Sequence, residues 1–156
     1  MSAGIVLYRR GADGTVEVLL GHMGGPYWAR KDAGAWTIPK GEVEPGEDLL
    51  AVAQREFHEE LGVPVPPGEL TDLGEIRQSG GKTVRAWAVH GDLDAAAIVS
   101  NSFELEWPPK SGRVQTFPEI DRAGWFGLEA ARSLIVQGQR LLLERTCELC
   151  DTVQPD

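Results

Sequence analysis

The amino-acid sequence predicts an α/β (α+β) protein in which a mixed β-sheet lies between helices. Three observations favour this class: short β-rich runs recur along most of the chain, one long amphipathic helix pattern lies among them, and two helix patterns close the sequence. The length of 156 residues fits a single domain with one hydrophobic core. We therefore expect residues 1–150 to form one domain and residues 151–156 to be a C-terminal tail.

The first two strands are predicted to form a β-hairpin, because the β-rich runs at residues 5–8 and 16–20 flank the turn signal Asp13-Gly14. Residues 21–34 contain glycine, proline and mixed charges, so they are predicted to be a loop. Further strand segments are predicted at residues 35–38, 73–76, 83–90, 102–107 and 124–126. Helices are predicted at residues 47–61, 128–135 and 139–149.

The composition is that of an ordinary globular protein, and its charge argues against several classes of function. The formal net charge of −9 predicts a surface that repels phosphates, which disfavours broad electrostatic binding to nucleic acid. No apolar stretch approaches the roughly 20 residues that a membrane span needs, and no signal-peptide pattern is present, so we expect a cytoplasmic protein. Cys147 and Cys150 form an isolated C-x-x-C pair, which we interpret as two reduced thiols.

The predicted helix at residues 47–61 carries carboxylates that local stability alone does not explain. At about 100° per residue, the stripe that should face the core consists of Leu50, Phe57 and Leu61. A different sector carries glutamates at spacing i, i+3 and i+4, which are Glu56, Glu59 and Glu60. These like charges repel one another in the half of the helix where its dipole disfavours anions. A bound divalent cation would resolve the conflict, whereas the alternative is a solvated acidic face.

The residues around these glutamates fit a known sequence pattern. Gly41 is followed after five residues by Glu47, and after seven more by the run Arg55-Glu56-Phe57-His58-Glu59-Glu60-Leu61-Gly62-Val63. This arrangement resembles the Nudix box, G-x5-E-x7-R-E-U-x-E-E-x-G-U, in which U is a bulky apolar residue. All nine defined positions are filled across residues 41–63, with the aromatic Phe57 where Ile, Leu or Val is commoner. On this resemblance the chain is identified as a member of the Nudix hydrolase family.

The resemblance implies a Nudix-type αβα sandwich with a catalytic loop-helix-loop and bound Mg²⁺, for which Mn²⁺ is expected to substitute. The implied metal ligands are the carboxylates of Glu56, Glu59 and Glu60 and a backbone carbonyl at Lys40 or Gly41. Glu47 and Arg55 would support the catalytic site, since Arg55 lies one turn before Glu59 and can orient it.

The same resemblance implies hydrolysis of a phosphoanhydride by a water molecule that a carboxylate deprotonates. In this family the base varies between a box glutamate, such as Glu59 or Glu56, and a glutamate from a later loop. The later candidates are Glu104, Glu106 and Glu119. Glu119 is favoured because it precedes the predicted strand at residues 124–126, and it is also a candidate metal ligand; the alternative is an ordinary loop carboxylate.

The entry to the box bears on the substrate class. The sequence Pro39-Lys40-Gly41 resembles family branches that act on dinucleoside polyphosphates or diphosphoinositol polyphosphates, whereas branches acting on nucleoside triphosphates more often have Gly-Gly there. A dinucleoside polyphosphate is therefore the first expectation for a small-molecule nucleotide substrate. The candidate substrate-binding residues are Lys40, Arg30, Lys31 and Trp28, with solvation of the cations and core packing of the tryptophan as the alternatives.

Two other functions stay open on the sequence alone. One is a non-catalytic nucleotide-binding Nudix regulator, but such domains usually lose box carboxylates, and all are present here. The other is removal of a 5′ cap or diphosphate from RNA, against which the acidic charge and the lack of a basic groove both count. The sequence also leaves the oligomeric state open, including a homodimer.

Overall fold

The computed structural model describes residues 1–152. The strands in this range are β1 Ser2–Arg10, β2 Val16–Met23, β3 Trp36–Thr37, β4 Lys40–Glu42, β5 Thr71–Arg77, β6 Thr83–His90, β7 Ser102–Glu106, β8 Val114–Pro118 and β9 Ile120–Gly127. The α-helices are α1 Leu49–Leu61, α2 Leu128–Leu134 and α3 Arg140–Thr152. Short 3-10 turns occur at Ser79–Gly81, Ala95–Ala97 and Gln137–Gln139.

A seven-stranded mixed sheet forms the centre of the fold. β1 pairs in parallel with β6, and β5 pairs antiparallel with β6. β1 also pairs antiparallel with two further strands, with β4 near its beginning and with β2 near its end. β2 in turn pairs antiparallel with β3 and with β9. This architecture confirms the predicted mixed sheet and the predicted hairpin of β1 and β2.

Helices cover both faces of the sheet. Successive residues of a strand point to opposite faces, so Ile5 and Leu7 of β1 belong to one buried cluster and Val6 belongs to another. The first cluster contains the buried side of α1, namely Val52, Ala53, Phe57 and Leu61. The second contains Ala131, Ile135, Leu142 and Leu143 from α2, its C-terminal end and α3. Each fully buried aliphatic side chain contributes about 1.5–3 kcal/mol, and the two clusters together produce the predicted αβα sandwich.

The box helix α1 has defined ends. It begins two residues later than the predicted start because the Asp48 carboxylate caps it, accepting a hydrogen bond of 3.0 Å from the Ala51 N–H. It ends at Gly62, which adopts the left-handed conformation and donates its N–H to the His58 carbonyl at 2.8 Å. Phe57 and Leu61 are buried as predicted, but Leu50 is only half-buried, and Val52 and Ala53 continue the core-facing stripe in its place.

Several segments differ from the sequence-based expectation, among them β4, where the sequence predicts no strand. The sequence predicts no strand at residues 114–118, yet β8 forms there and pairs antiparallel with β7 in a separate two-stranded sheet. The predicted loop at residues 21–34 begins only after β2 ends at Met23. At the C-terminus α3 continues through Thr152, and the rest of the predicted tail, residues 153–156, lies outside the described residues. Within residues 1–152, each helix is too short or too polar to cross a membrane.

Candidate active site

The segment that carries β3 and β4 brings the start of the box against α1. β1 and β2 diverge beyond their hairpin, and residues 36–42 fill the space between them. The Ile5 N–H of β1 donates to the Pro39 carbonyl at 3.1 Å, and β4 continues the pairing with β1. These backbone hydrogen bonds fix Lys40 and Gly41 beside the glutamates of α1.

Gly41 is in direct contact with Glu56. A Cβ atom built on Gly41 would lie 2.1 Å from Cδ and 2.3 Å from Oε2 of Glu56, far inside van der Waals contact. Any side chain at position 41 would therefore displace the Glu56 carboxylate. The glycine of the box is required here because backbone and carboxylate approach each other so closely.

The three box glutamates of α1 point in different directions. Relative to Glu56, Glu60 is rotated by about 40° one way and Glu59 by about 60° the other way, since a helix turns about 100° per residue. The rotation towards the sheet leaves Glu60 only 7% exposed, and its Oε2 accepts a hydrogen bond of 3.2 Å from the Lys40 N–H. The opposite rotation leaves the Glu59 side chain 43% exposed. The three carboxylates, which the family resemblance implies as one set of metal ligands, therefore do not point to one place.

Arg55 lies on the same side of α1 as Glu59. Its Nη1 donates to Oε2 of Glu47 at 2.7 Å, while its Nη2 and Nε lie 3.9 Å from carboxylate oxygens of Glu56 and Glu59 respectively. The hydrogen bond with Arg55 holds the pKa of Glu47 below its usual value. Arg55 thus links the loop before α1 to two glutamates on the helix.

Glu119 is the one residue between β8 and β9, and its backbone is fixed on both sides. Its N–H donates to the Asn101 carbonyl at 2.9 Å, and its carbonyl accepts from the Gly24 N–H at 2.9 Å. A Cβ on Gly24 would lie 1.8 Å from the Pro118 carbonyl oxygen, so this close strand contact requires glycine. Glu104 and Glu106, the other later candidates, lie exposed on β7.

Burial raises the pKa values of the carboxyls facing this region, and neighbouring carboxylates add to the effect at Glu56 and Glu60. Burial and the charge of Glu56 raise the pKa of Glu60 to about 8, although Lys40 opposes this. Burial also raises the pKa of Glu56, and the charges of Glu59 and Glu119 add to the effect while Arg55 opposes it. Partial desolvation raises the pKa of Glu119, again opposed by Lys40. A cation bound among these groups would lower their pKa values and remove the repulsion.

A cavity of about 600 Å³ joins these groups. Its wall includes Lys40, Gly41, Glu56, Glu60 and Glu119. Of the predicted substrate-binding residues, Trp28 and Lys40 line the cavity, whereas Arg30 and Lys31 do not. Both of these cations are exposed, and the Lys31 ammonium lies 5.3 Å from the centre of the Trp28 ring. Arg55 and Glu59 line a different, shallower depression on α1.

The cavity wall also contains polar residues that the sequence analysis did not single out. They are chiefly amides, namely Gln78, Asn101, Gln137 and Gln139, together with Thr37. Gln139 is fully buried. No local motif marks these positions, because Gln139 meets Thr37 and Ile38 only through contacts that span about a hundred residues of the chain.

The donor set fits a divalent cation in its chemistry. Carboxylates of Glu56, Glu60 and Glu119 and the nearby backbone of Lys40 and Gly41 supply hard oxygen ligands, which Mg²⁺ and Mn²⁺ prefer. In the part of the chain that the structure describes, no three acidic, histidine or cysteine side chains converge closely enough to hold an ion as they stand. Binding would therefore require the carboxylates to change rotamer, which the exposed Glu59 side chain can do readily.

Comparisons with known proteins agree with this fold. A family model of the NUDIX domain matches residues 1–146. A Caenorhabditis elegans Ap4A hydrolase, solved as a binary complex, superposes with a TM-score of 0.67 at 24% identity over 98% of this chain and 100% of that chain. The NUDIX domain of Shewanella oneidensis NrtR, complexed with ADP ribose, gives a TM-score of 0.62 at 16% identity over 96% and 86% of the two chains. A MutT protein from Methanosarcina mazei gives 0.60 at 22% identity over 96% and 93%.

The protein therefore belongs to the Nudix family, as the box predicted. Its αβα sandwich and its complete box are consistent with a hydrolase acting on acid anhydrides, which is the chemistry of the Nudix pyrophosphohydrolases. The family typically uses a divalent metal ion.

Proposed function

We propose that this protein is a Mg²⁺-dependent pyrophosphohydrolase that cleaves a phosphoanhydride bond in a nucleoside-diphosphate-linked substrate. One observation carries the proposal: Glu56, held against the bare backbone of Gly41, lines one cavity with Glu60, Glu119 and Lys40. Carboxylates grouped at one cavity, with Glu60 buried and Glu56 half-buried, repel one another in isolation and are stabilised by a divalent cation that binds a polyphosphate.

The charged residues of the box have distinct roles in this proposal. Glu56, Glu59 and Glu60 and a backbone carbonyl at Lys40 or Gly41 would hold the metal ions, with Glu119 as a further ligand. Bound magnesium would neutralise the phosphate oxygens of the anhydride and so make phosphorus accessible to a nucleophile. Arg55, fixed by Glu47, would orient Glu56 and Glu59 from the outer side of α1.

Glu119 is the favoured general base, and a box glutamate such as Glu59 or Glu56 is the alternative. The base accepts a proton from water as the water oxygen bonds to one phosphorus and the bridging oxygen leaves with the other. The backbone hydrogen bonds on both sides of Glu119 support this role, because they hold its carboxylate at the wall of the cavity.

A dinucleoside polyphosphate is the substrate that we favour. Among the described residues, Lys40 is the only lysine or arginine that lines the cavity. A diphosphoinositol polyphosphate carries phosphates around its whole ring and would need several cations, so one lysine argues against that alternative. The Ap4A hydrolase among the structural neighbours supports the same choice, and a nucleoside triphosphate stays as a further alternative. Cytoplasmic location and a homodimer stay predictions from the sequence.

The test is a substrate panel with Mg²⁺: dinucleoside polyphosphates, nucleoside triphosphates, nucleotide sugars and diphosphoinositol polyphosphates, with products separated chromatographically. We expect metal-dependent cleavage of a dinucleoside polyphosphate that Glu59→Gln and Glu60→Gln both strongly reduce. Glu104→Gln is the matched control, since Glu104 is an exposed carboxylate that does not line the cavity. Tight binding of nucleotides without turnover of any compound would instead support the non-catalytic regulator.

A further inference from the structure

Gln139, at the end of the 3-10 turn before α3, has every polar atom of its side chain occupied. It is fully buried. Its Oε1 accepts the Ile38 N–H at 3.1 Å, and its Nε2 donates to Thr37 Oγ1 at 2.9 Å and to Gln78 Oε1 at 3.3 Å. The Thr37 hydroxyl proton is directed to the Ile38 carbonyl at 2.8 Å, so its oxygen is free to accept from Gln139.

These contacts determine which way the Gln139 amide points. A backbone N–H can only donate, so the Ile38 N–H must face the oxygen of Gln139 and not its nitrogen. The nitrogen of Gln139 then has two protons, one for Thr37 and one for Gln78. Exchanging the oxygen and nitrogen would place a donor against a donor in a fully buried location, which costs more than a hydrogen bond contributes.

The orientation of Gln139 determines that of Gln78 in turn. Because Gln139 donates to Gln78, the amide of Gln78 must present its oxygen to Gln139 and direct its nitrogen elsewhere. Gln78 lines the cavity, and none of the described residues accepts a hydrogen bond from its Nε2. The Gln78 amide group therefore offers N–H donors that no described residue uses.

The backbone and the aliphatic part of Gln78 are held in place by two contacts. Its backbone N–H donates to the Lys82 carbonyl at 2.7 Å, which closes the turn between β5 and β6. A Cβ on Gly138 would lie 3.0 Å from Cα, Cβ and Cγ of Gln78, so the 3-10 turn packs directly on this side chain. Donors with a fixed position and orientation select a ligand by geometry and by hydrogen-bond polarity.

The amides lie at a suitable separation from the carboxylates. Thr37, which contacts Gln139, is three residues from Lys40, and an extended chain spans at most about 10 Å over that length. Trp28 lines the same cavity and supplies an aromatic surface. An uncharged heterocycle with a hydrogen-bond acceptor, joined through a sugar to the phosphate, would reach both regions.

We propose that Gln78, oriented by Gln139, is a specificity-determining residue that donates a hydrogen bond to an acceptor atom on the nucleobase of the substrate. The inference rests on the proposed function in one respect, namely that a nucleotide enters this cavity. It adds the expectation that the enzyme discriminates among bases and that the discrimination depends on a donor at residue 78.

The experiment measures KM and kcat for dinucleoside tetraphosphates containing adenine, guanine, cytosine or uracil. The proteins compared are the wild type, Gln78→Met and Gln78→Glu. We expect either substitution to raise KM for the preferred base by about 3- to 10-fold, the equivalent of one hydrogen bond, with kcat changed less than about 2-fold. The differences in KM among bases should shrink at the same time. Substrates with deaza-purine bases, each lacking one ring nitrogen, would then identify the acceptor in the wild type.

Gln137→Glu is the matched control, because Gln137 lines the same cavity and its side chain takes no part in the chain of hydrogen bonds that runs from the Ile38 N–H through Gln139 to Gln78. An equal rise in KM in Gln137→Glu and Gln78→Glu would overturn the inference, since it would report only added negative charge. An unchanged base preference in Gln78→Met would overturn it as well. If the wild type hydrolysed none of the substrates, binding of the four nucleoside monophosphates, followed by tryptophan fluorescence, would test the base preference separately from catalysis.

Discussion

At the scale of single residues, the site depends on the absence of a side chain at Gly41. The Gly41→Ala substitution would push its methyl group into the Glu56 carboxylate, which lies within 2.1–2.5 Å of the built Cβ. Because the Glu56 side chain can rotate away, we expect the fold to survive and the apparent Mg²⁺ affinity to fall by about 10- to 100-fold. Initial rates measured over a range of Mg²⁺ concentrations give this affinity.

Gly127→Ala provides the control for Gly41→Ala. Gly127 has a negative φ, and a Cβ there would meet no atom within 4 Å. We expect its Mg²⁺ dependence to equal that of the wild type. Equal Mg²⁺ dependence in Gly41→Ala would mean that the contact between Gly41 and Glu56 does not matter for metal binding.

Glu60 should make the metal-free protein less stable at alkaline pH. Its folded-state pKa of about 8 lies above the ordinary glutamate value, so the folded protein keeps a proton that the unfolded chain loses. This stabilising effect is complete at acidic pH and is lost as pH rises through the folded value, at a slope of about 1.4 kcal/mol per pH unit. The free energy of unfolding of wild type minus Glu60→Gln, measured by urea denaturation with EDTA, should fall between about pH 5 and pH 8. A flat difference would contradict the buried, protonated Glu60.

Single residues also show which features of the site could be predicted from the sequence and which could not. The spacing in the box identified Gly41, Glu56 and Glu60 as one group, and the structure brings these three together at one cavity. The spacing of the box gave no indication that Glu60 is buried while Glu59 is exposed, because that difference depends on how α1 is rotated against the sheet. The chain of hydrogen bonds from the Ile38 N–H through Gln139 to Gln78 could not be predicted for the same reason, since it exists only after distant segments pack together.

At the scale of elements, the C-terminal end of α1 should be sensitive to substitution. Gly62 has a φ of 80°, and a Cβ there would lie 2.6 Å from the Val99 carbonyl oxygen. Gly62→Ala therefore combines left-handed strain of about 1–2 kcal/mol with a collision against backbone, and we expect a larger loss in the free energy of unfolding than strain alone gives. Chemical denaturation with a single transition provides the value.

Gly46→Ala separates the two contributions to the effect at Gly62. Gly46 also has a positive φ, of 86°, but a Cβ there would enter open space. Its substitution should cost about 1–2 kcal/mol from strain alone. If Gly62→Ala cost no more than Gly46→Ala, the contact between the end of α1 and the segment at Val99 would not contribute to stability.

Elements with a strong local signal were predictable, and those defined by pairing were not. α1 has an apolar stripe and a terminating Gly62, so its existence and its C-terminal end were predictable from the sequence, whereas its start was predicted two residues too early because the cap at Asp48 was not recognised. β8 consists largely of exposed residues, and its pairing with β7 supplies most of what makes it a strand. β4 follows directly after Pro39. β2 pairs only with the end of β1, so the beginning of β1 is left for β4 to pair with.

At the scale of the whole molecule, the net charge of −9 would repel the anionic substrate proposed above, and bound cations would offset that repulsion. The folded protein should then gain stability from divalent metal, since an ion that binds only the folded state adds about 2.7 kcal/mol at a concentration 100 times its Kd. We expect Mg²⁺ or Mn²⁺ to raise the melting temperature of the wild type, and an excess of EDTA to reverse the rise. A melting temperature that does not respond to either metal would count against a metal-binding cavity.

The central claim is that the cavity carboxylates, and not acidic residues elsewhere, perform a metal-dependent hydrolysis. The most direct measurement is the rate of dinucleoside tetraphosphate hydrolysis at saturating Mg²⁺ in Glu56→Gln and Glu60→Gln, compared with Glu104→Gln and Glu106→Gln on the exposed strand β7. The account predicts a loss of about 100-fold or more in each cavity variant and wild-type rates in both β7 variants. Comparable rates in all four variants, with cleavage still dependent on Mg²⁺, would show that the chemistry occurs elsewhere and would contradict the account.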